Sequence, residues 1–302
     1  MSKPKWSANG FARLVQISGD GFWVVVEGRD HDRAHYERLL ENLPSTKDRN
    51  VVIRLAEHIE VNGKAAGGKA HALALHDHLQ ASNDLTQSSK SGKARVVFMV
   101  DRDRDDYLGN MNSSPNVMYT HSTDVEADIL LNVEIWPAVR AAYGIDSSLS
   151  GKIRKVVPDP AIGLAKLWED WLRLGLTALV CDAGNCAPWA QPSMVNVPTF
   201  EAVDAAQVAR VESAIQTVAP RKYAAGVAQA SSHVARHQER LLKGRWLSRY
   251  IHALVKHHLK DEVVRVNVQA DAVIDTALMG LQYTGSWAQH YESRFASLVA
   301  SN

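Results

Sequence analysis

Cysteine is scarce: Cys181 and Cys186 are the only two among 302 residues. Two cysteines cannot build a disulfide framework, so the fold must rest on a hydrophobic core. Long apolar runs are missing as well. No stretch approaches the roughly 20 apolar residues that a membrane span needs, and the opening MSKPKWSANG has no signal-peptide apolar core. Both absences lead to the expectation of a cytoplasmic protein without membrane contact. Neither sign of charge is in excess, since 34 Lys and Arg stand against 33 Asp and Glu, a formal net charge of +1. That balance removes the simple argument for nucleic acid from a high isoelectric point, although local patches matter more than the sum. No internal repeat or low-complexity tract interrupts the chain. What is present is an ordinary globular composition, 46% hydrophobic and 22% charged, in a length that suits one large domain or two ordinary ones.

The first half alternates between strand-like and helix-like patterns. FWVVV (22–26) is a short β-branched run closed by Glu27-Gly28. From Asp32 the spacing becomes helical, with Ala34, Tyr36, Leu39 and Leu40 available to one face. NVVIRL (50–55) reads as a second strand, and Gly67-Gly68 opens a helix in which Ala72, Leu75 and Leu79 share a face. VVFMV (96–100) is a third strand and NVMY (116–119) a short fourth. Strand, helix, strand, helix, strand predicts a parallel sheet covered by helices. The second half predicts helices over 134–143, 160–180, 202–218, 223–242, 246–259 and 270–279, with a long irregular loop over 182–198. The expected fold class is α/β: a parallel sheet with flanking helices over 18–133, then a mostly α-helical domain over 134–302 that binds a partner or nucleic acid.

In VVFMVDRDRDDY (96–107) a buried run gives way to acids at every second position, Asp101, Asp103 and Asp105. On extended backbone, residues i and i+2 point to one side. Like charges gathered there need a neutralising cation. Glu27 follows the first strand, and Asp124 and Glu126 in YTHSTDVEAD follow the fourth. Functional groups of open α/β sheets gather beyond the carboxyl ends of parallel strands, so these acids are expected to converge. An oxygen-only set suits Mg2+ or Mn2+. Taken singly, Glu-Gly is a common turn and Asp-Arg-Asp-Arg-Asp a common solvated loop with its own neutralising arginines. The ordered combination is more specific than its parts.

VVVEGRD followed by VVFMVDRDRDD resembles the TOPRIM domain, shared by type IA and type II topoisomerases, bacterial primases and several nucleases, over roughly residues 20–135. The resemblance implies a TOPRIM-like Rossmannoid sheet. It also implies that Glu27 is an acid/base or metal-contacting residue, Asp101 and Asp103 are Mg2+ ligands, and Asp105 is auxiliary to them. The block NVMYTHSTDVEADIL and the helical C-terminal half are similar to a narrower, defence-associated TOPRIM family. Its members include the nuclease subunit of PARIS-type anti-phage systems. That similarity adds Asp124 and Glu126 to the centre and implies an ABC-type ATPase partner that restrains the effector. Effectors of this type often act as homodimers.

The resulting expectation is a Mg2+- or Mn2+-dependent endonuclease, acting on DNA or RNA in abortive infection. The alternative is a non-catalytic TOPRIM module that senses or scaffolds nucleic acid or an ATPase. Asp101, Asp103 and Asp105 could hold one cation, with a second on Glu27 and Asp124 or Glu126. A single cation is compatible with the same residues.

Other features carry weaker expectations. GKAAGGKA (63–70) has Ala70 where a P-loop needs Ser or Thr, and reads as a glycine-rich turn before a helix. Lys64 and Lys69 remain candidates for touching nucleic acid phosphates. In KGRWLSRYIHALVKHH (243–258), Lys243, Arg245, Arg249 and Lys256 alternate with Trp246 and Tyr250, a mixture that suits phosphates and stacked bases. The simpler reading is a helix that buries Leu247, Ile251 and Leu254. Arg102 and Arg104 either pair with the acids or meet phosphates, and His121 is a candidate proton shuttle. Cys181, Cys186, His252, His257 and His258 lack the paired spacing of a structural zinc site.

Overall fold

The computed structural model describes residues 5–28, 31–90, 92–197, 199–260 and 268–301, so Arg29 and Asp30 of VVVEGRD lie outside the described residues. The chain divides into two units. The first comprises Met1–Asp103, Asn110–Asp128 and Leu281–Asn302; the second comprises Arg104–Gly109 and Ile129–Gly280.

β-Branched and aromatic residues build the sheet of the first unit. A small parallel pair joins β1 (Trp6–Ser7) to β4 (Ile59–Glu60). The main sheet holds β2 (Gly21–Val26), β3 (Val51–Leu55), β5 (Thr86–Ser89), β6 (Gly92–Val100) and β7 (Val117–Tyr119). The fully buried β2 runs between β3 and β6, parallel to both, with Val24 opposite Ile53 on one side and Val97 on the other. Along its other edge β6 pairs first with antiparallel β5 and then, through Phe98–Val100, with parallel β7. The parallel strands therefore stand in the order β3-β2-β6-β7. Numbered by their sequence along the chain, they read 2-1-3-4. The direction of winding reverses between β2 and β6.

The first unit also holds α1 (Ala8–Ile17), α2 (Asp32–Asn42) and α3 (Lys69–Ala81); the short α4 (Asp105–Leu108) belongs to the second unit, and α5 (Val125–Leu131) runs across the 128/129 break. The second unit continues with α6 (Ile135–Tyr143), α7 (Ser147–Val156), α8 (Pro160–Leu167) and α9 (Glu169–Val180). It is completed by α10 (Ala205–Val218), α11 (Tyr223–His237), α12 (Gly244–His258) and α13 (Ala272–Gly280). The last helix, α14 (Gly285–Ala300), belongs to the first unit.

Alternation along β2 assigns the two faces of the sheet. Trp23 and Val25 join Phe11 and Val15 of α1 and Ala72, Leu75 and Leu79 of α3 in one core. On the other face Phe22 meets Phe295 of α14 edge-on at 5.2 Å, and Tyr36 of α2 meets Tyr291 at 6.3 Å. The division expected at 133/134 is corrected here: the break falls at 128/129, and both α1 and α14 belong to the sheet-bearing unit. The physical reason lies in α14, whose Trp287, Ala288, Tyr291, Phe295 and Leu298 are buried at helical spacing and supply cover for the sheet. The single helix expected over 160–180 is two, joined at Trp168. Among the described residues no helix is long and apolar enough to cross a membrane.

Candidate acidic centre

Strand register brings the acids together. Val26 at the end of β2 lies opposite Met99, and Val100 at the end of β6 lies opposite Tyr119. Glu27, Asp101 and the 120–124 turn therefore leave the sheet along one carboxyl edge, where the winding reverses. That crevice is the place at which open α/β sheets bind ligands.

The carboxyl groups of Glu27 and Asp101 lie close enough for each to influence the other's proton affinity. Burial raises the Glu27 carboxyl to about 7; the neighbouring Asp101 and the charge of Lys69 oppose the rise, and the charge of Asp32 adds to it. Asp101 is pushed well above the usual carboxylate range, first by burial and then by Glu27, Asp124, Asp32 and Asp103. Asp101 itself is partly exposed to solvent. Among the described residues, the buried Glu27 Oε2 has no hydrogen-bond partner.

The expected extended run of alternating aspartates does not form. Asp103 has φ +47, in the left-handed region that Asp tolerates better than most residues, and its N–H donates to the Thr123 carbonyl at 2.8 Å. The chain turns there, and Asp105 becomes the first residue of α4, in the second unit. Within the first unit, Glu27, Asp103 and Asp124 all lie near enough to Asp101 for their charges to act on it. Arg102 does not alternate outward; its Nε donates to the Thr120 carbonyl at 2.8 Å. In the second unit the Arg104 guanidinium lies 5.7 Å from the ring centre of Trp189.

Lys69 enters the centre from the start of α3. Gly68, at φ +84, has a conformation that side chains resist, and its N–H donates to the Glu27 carbonyl at 3.2 Å. The following Lys69 ammonium donates to Asp103 Oδ2 at 2.6 Å and to the Asp101 carbonyl at 2.9 Å. The glycine-rich segment is thus a turn that opens a helix, as expected, and its second lysine is directed to acids. Lys64 sits exposed on a tight turn in which Asn62 and Gly63 both have positive φ and Val61 and Lys64 exchange backbone bonds.

Asp124 caps α5, its Oδ1 accepting from the Ala127 N–H at 2.8 Å. Glu126 is buried, with Oε1 3.4 Å from His31 Nδ1. Two further acids were not singled out from the sequence. Asp32 is buried at the start of α2 and accepts from the Gly28 N–H at 2.8 Å. A Cβ on residue 28 would lie 2.9 Å from that carboxylate, so the glycine of Glu-Gly serves this close approach. Burial raises Asp32 to about 6, against the Gly28 bond and with the charge of Glu126. Asp128, fully buried, accepts from the N–H groups of His121 (3.0 Å) and Ser122 (2.5 Å) and from the Tyr291 hydroxyl (2.5 Å). The signal available for Asp128 was its place in DVEAD, four residues after Asp124.

Lys243, Arg245 and Arg249 lie in the second unit at the start of α12, with Arg245 and Arg249 exposed. Trp246 and Tyr250 are core residues, not stacking surfaces: Trp246 packs 5.4 Å from Trp168, and Tyr250 packs 5.8 Å from Phe200. The His121 backbone N–H helps anchor Asp128.

The donors fit a hard divalent cation. They are carboxylates, burial raises both Glu27 and Asp101, the charge of Glu27 raises Asp101 further, and Glu27 Oε2 is buried with no hydrogen-bond partner among the described residues. Glu27, Asp101 and Asp103 would hold it. Among the described residues no three His, Cys, Asp or Glu side chains already form a ligating cluster. No protein-family model matches the chain, and no curated protein is significantly similar to it.

Proposed function

We propose that the chain is a Mg2+-dependent TOPRIM-like nuclease that cleaves phosphodiester bonds of DNA or RNA. The observation that carries this reading is the meeting of Glu27 and Asp101 at the winding reversal between β2 and β6, with Glu27 Oε2 unpartnered. Bound Mg2+ would supply a Lewis acid for phosphate oxygens and a water of lowered pKa. The protein's part is to hold the acids. The Gly68 N–H holds the Glu27 carbonyl, the turn at Asp103 is tied to Thr123, and Asp32 fixes the Glu-Gly bend. Glu27, beside Asp101 at the strand ends, is the candidate acid/base or cation-contacting residue.

The wider reading is a cytoplasmic anti-phage effector restrained by an ABC-type ATPase, with the second unit as the surface for that partner or for nucleic acid. Its support is the defence-family resemblance of NVMYTHSTDVEADIL and the helical second unit. A second reading, a non-catalytic scaffold or sensor, is favoured by one observation: Lys69 already neutralises Asp103. Cleavage of DNA and of total RNA in Mg2+ or Mn2+ decides between them. The nuclease reading expects Glu27→Gln and Asp101→Asn each to lower the rate by about 100-fold or more. Wild-type protein that stays inert with the ATPase partner and its trigger added leaves the scaffold.

A further inference from the structure

The centre contains a cation of its own. Lys69 is the first residue of α3, and its ammonium reaches Asp103 Oδ2 and the Asp101 carbonyl together. Its charge is also felt by Glu27, and the residue before it is bonded to the Glu27 backbone. Both partners of the 2.6 Å pair are about four-fifths shielded from solvent, so water screens it only partly. An ammonium donates hydrogen bonds but accepts none. While it holds Asp103 Oδ2, that oxygen is not free to ligate.

We propose that Lys69 is the resident counter-ion of the acidic centre, holding Asp103 in the metal-free protein and yielding it when a divalent cation binds. The inference rests on the reading of this centre as a divalent-cation site. Cation binding is then an exchange. One positive charge withdraws from Asp103 as two arrive, and the released ammonium stays beside the acids, where it can meet the phosphate of a substrate. Two functions follow for one residue: the acids stay tolerably neutralised without metal, and the threshold concentration of metal is raised.

Mn2+ binding followed by electron paramagnetic resonance tests the exchange in wild-type, Lys69→Met, Lys69→Arg and Asp101→Asn proteins, each checked for folding by circular dichroism. Lys69→Met is expected to bind Mn2+ roughly tenfold more tightly, the scale set by one charge-assisted hydrogen bond, and to melt lower than wild type without metal. Lys69→Arg, which keeps the charge, is expected to stay near wild type. In a parallel experiment, amine acylation read by mass spectrometry should modify Lys69 faster with Mg2+ than without it, while the exposed Lys90 stays unchanged. Binding by wild type that disappears in Asp101→Asn but weakens in folded Lys69→Met would overturn the exchange and leave the cation site standing, with Lys69 as a positioning residue. Acylation of Lys69 unchanged by bound Mg2+ would also overturn it. Failure of every protein, Lys69→Met included, to bind Mn2+ would remove both the cation site and the exchange.

Discussion

At the scale of residues, this unit stores unfavourable electrostatics in two places with opposite dependence on pH. Glu27 is raised to about 7 from an ordinary 4.5. The folded protein then holds more protons than the unfolded chain between those values, so this residue's contribution falls as pH rises through the window. Glu27→Gln should remove the effect. Its melting temperature in a chelator is expected to gain on wild type from pH 5 to pH 8, by the equivalent of about 2 kcal/mol after allowance for screening. A gap that does not change with pH would contradict the raised value. His35 behaves in the reverse sense. It is fully buried on α2, neither ring nitrogen has a partner, and burial lowers it to about 4, against the charges of Asp128 and Glu126. Below 6.5 the unfolded chain takes up a proton that the folded one refuses, so wild type loses stability as pH falls toward 4. His35→Leu should therefore be stabilising by about 1 kcal/mol or more, and its advantage should widen between pH 7 and pH 5. Thermal melts at those two values provide the check.

At the scale of elements, α14 does more than cover the sheet. Tyr291 reaches Asp128, His290 Nε2 lies 2.9 Å from the Tyr119 carbonyl, and an Arg294 guanidinium nitrogen donates to the Val117 carbonyl. One helix thus binds β7 and the turn that carries Asp124. Tyr291→Phe leaves the ring and removes one bond to a buried carboxylate, for an expected loss of about 1–3 kcal/mol in urea unfolding. Unchanged stability would mean that Asp128 is satisfied without the helix. Element-scale organisation was also unevenly legible. The strands at 22–26, 50–55 and 96–100 announced themselves through β-branched runs and matched observed strands within a residue or two, apart from the longer start of β6. GSWAQHYESRFASLVA has an equally regular apolar face, yet no sequence pattern says which sheet it will cover. Contact over almost the whole chain length is a tertiary fact.

At the scale of the whole molecule, the candidate site was legible as far as strand order allowed. Acids placed after parallel strands have to share an edge, so Glu27 and Asp101 can be paired from the sequence; in the register both follow the ends of the adjacent parallel strands β2 and β6. Side-chain direction was not legible. The alternation of Asp101, Asp103 and Asp105 assumed extended backbone, and the left-handed turn at Asp103 sent Asp105 into the second unit. Lys69 was attributed to an outside phosphate because the turn at Gly68 that aims it inward leaves no mark on hydrophobic periodicity. In α12 the aromatics that suggested base stacking were the helix's buried stripe.

The central claim is that these acids await a divalent cation, and calorimetric titration of the metal-free protein with Mg2+ at pH 7.5 tests it most directly. The account predicts saturable binding, loss of that binding in Asp101→Asn, and a rise in melting temperature that tracks occupancy, since a ligand of the folded state alone stabilises it. Identical titrations for wild type and Asp101→Asn, or no heat and no stabilisation in either, would contradict it.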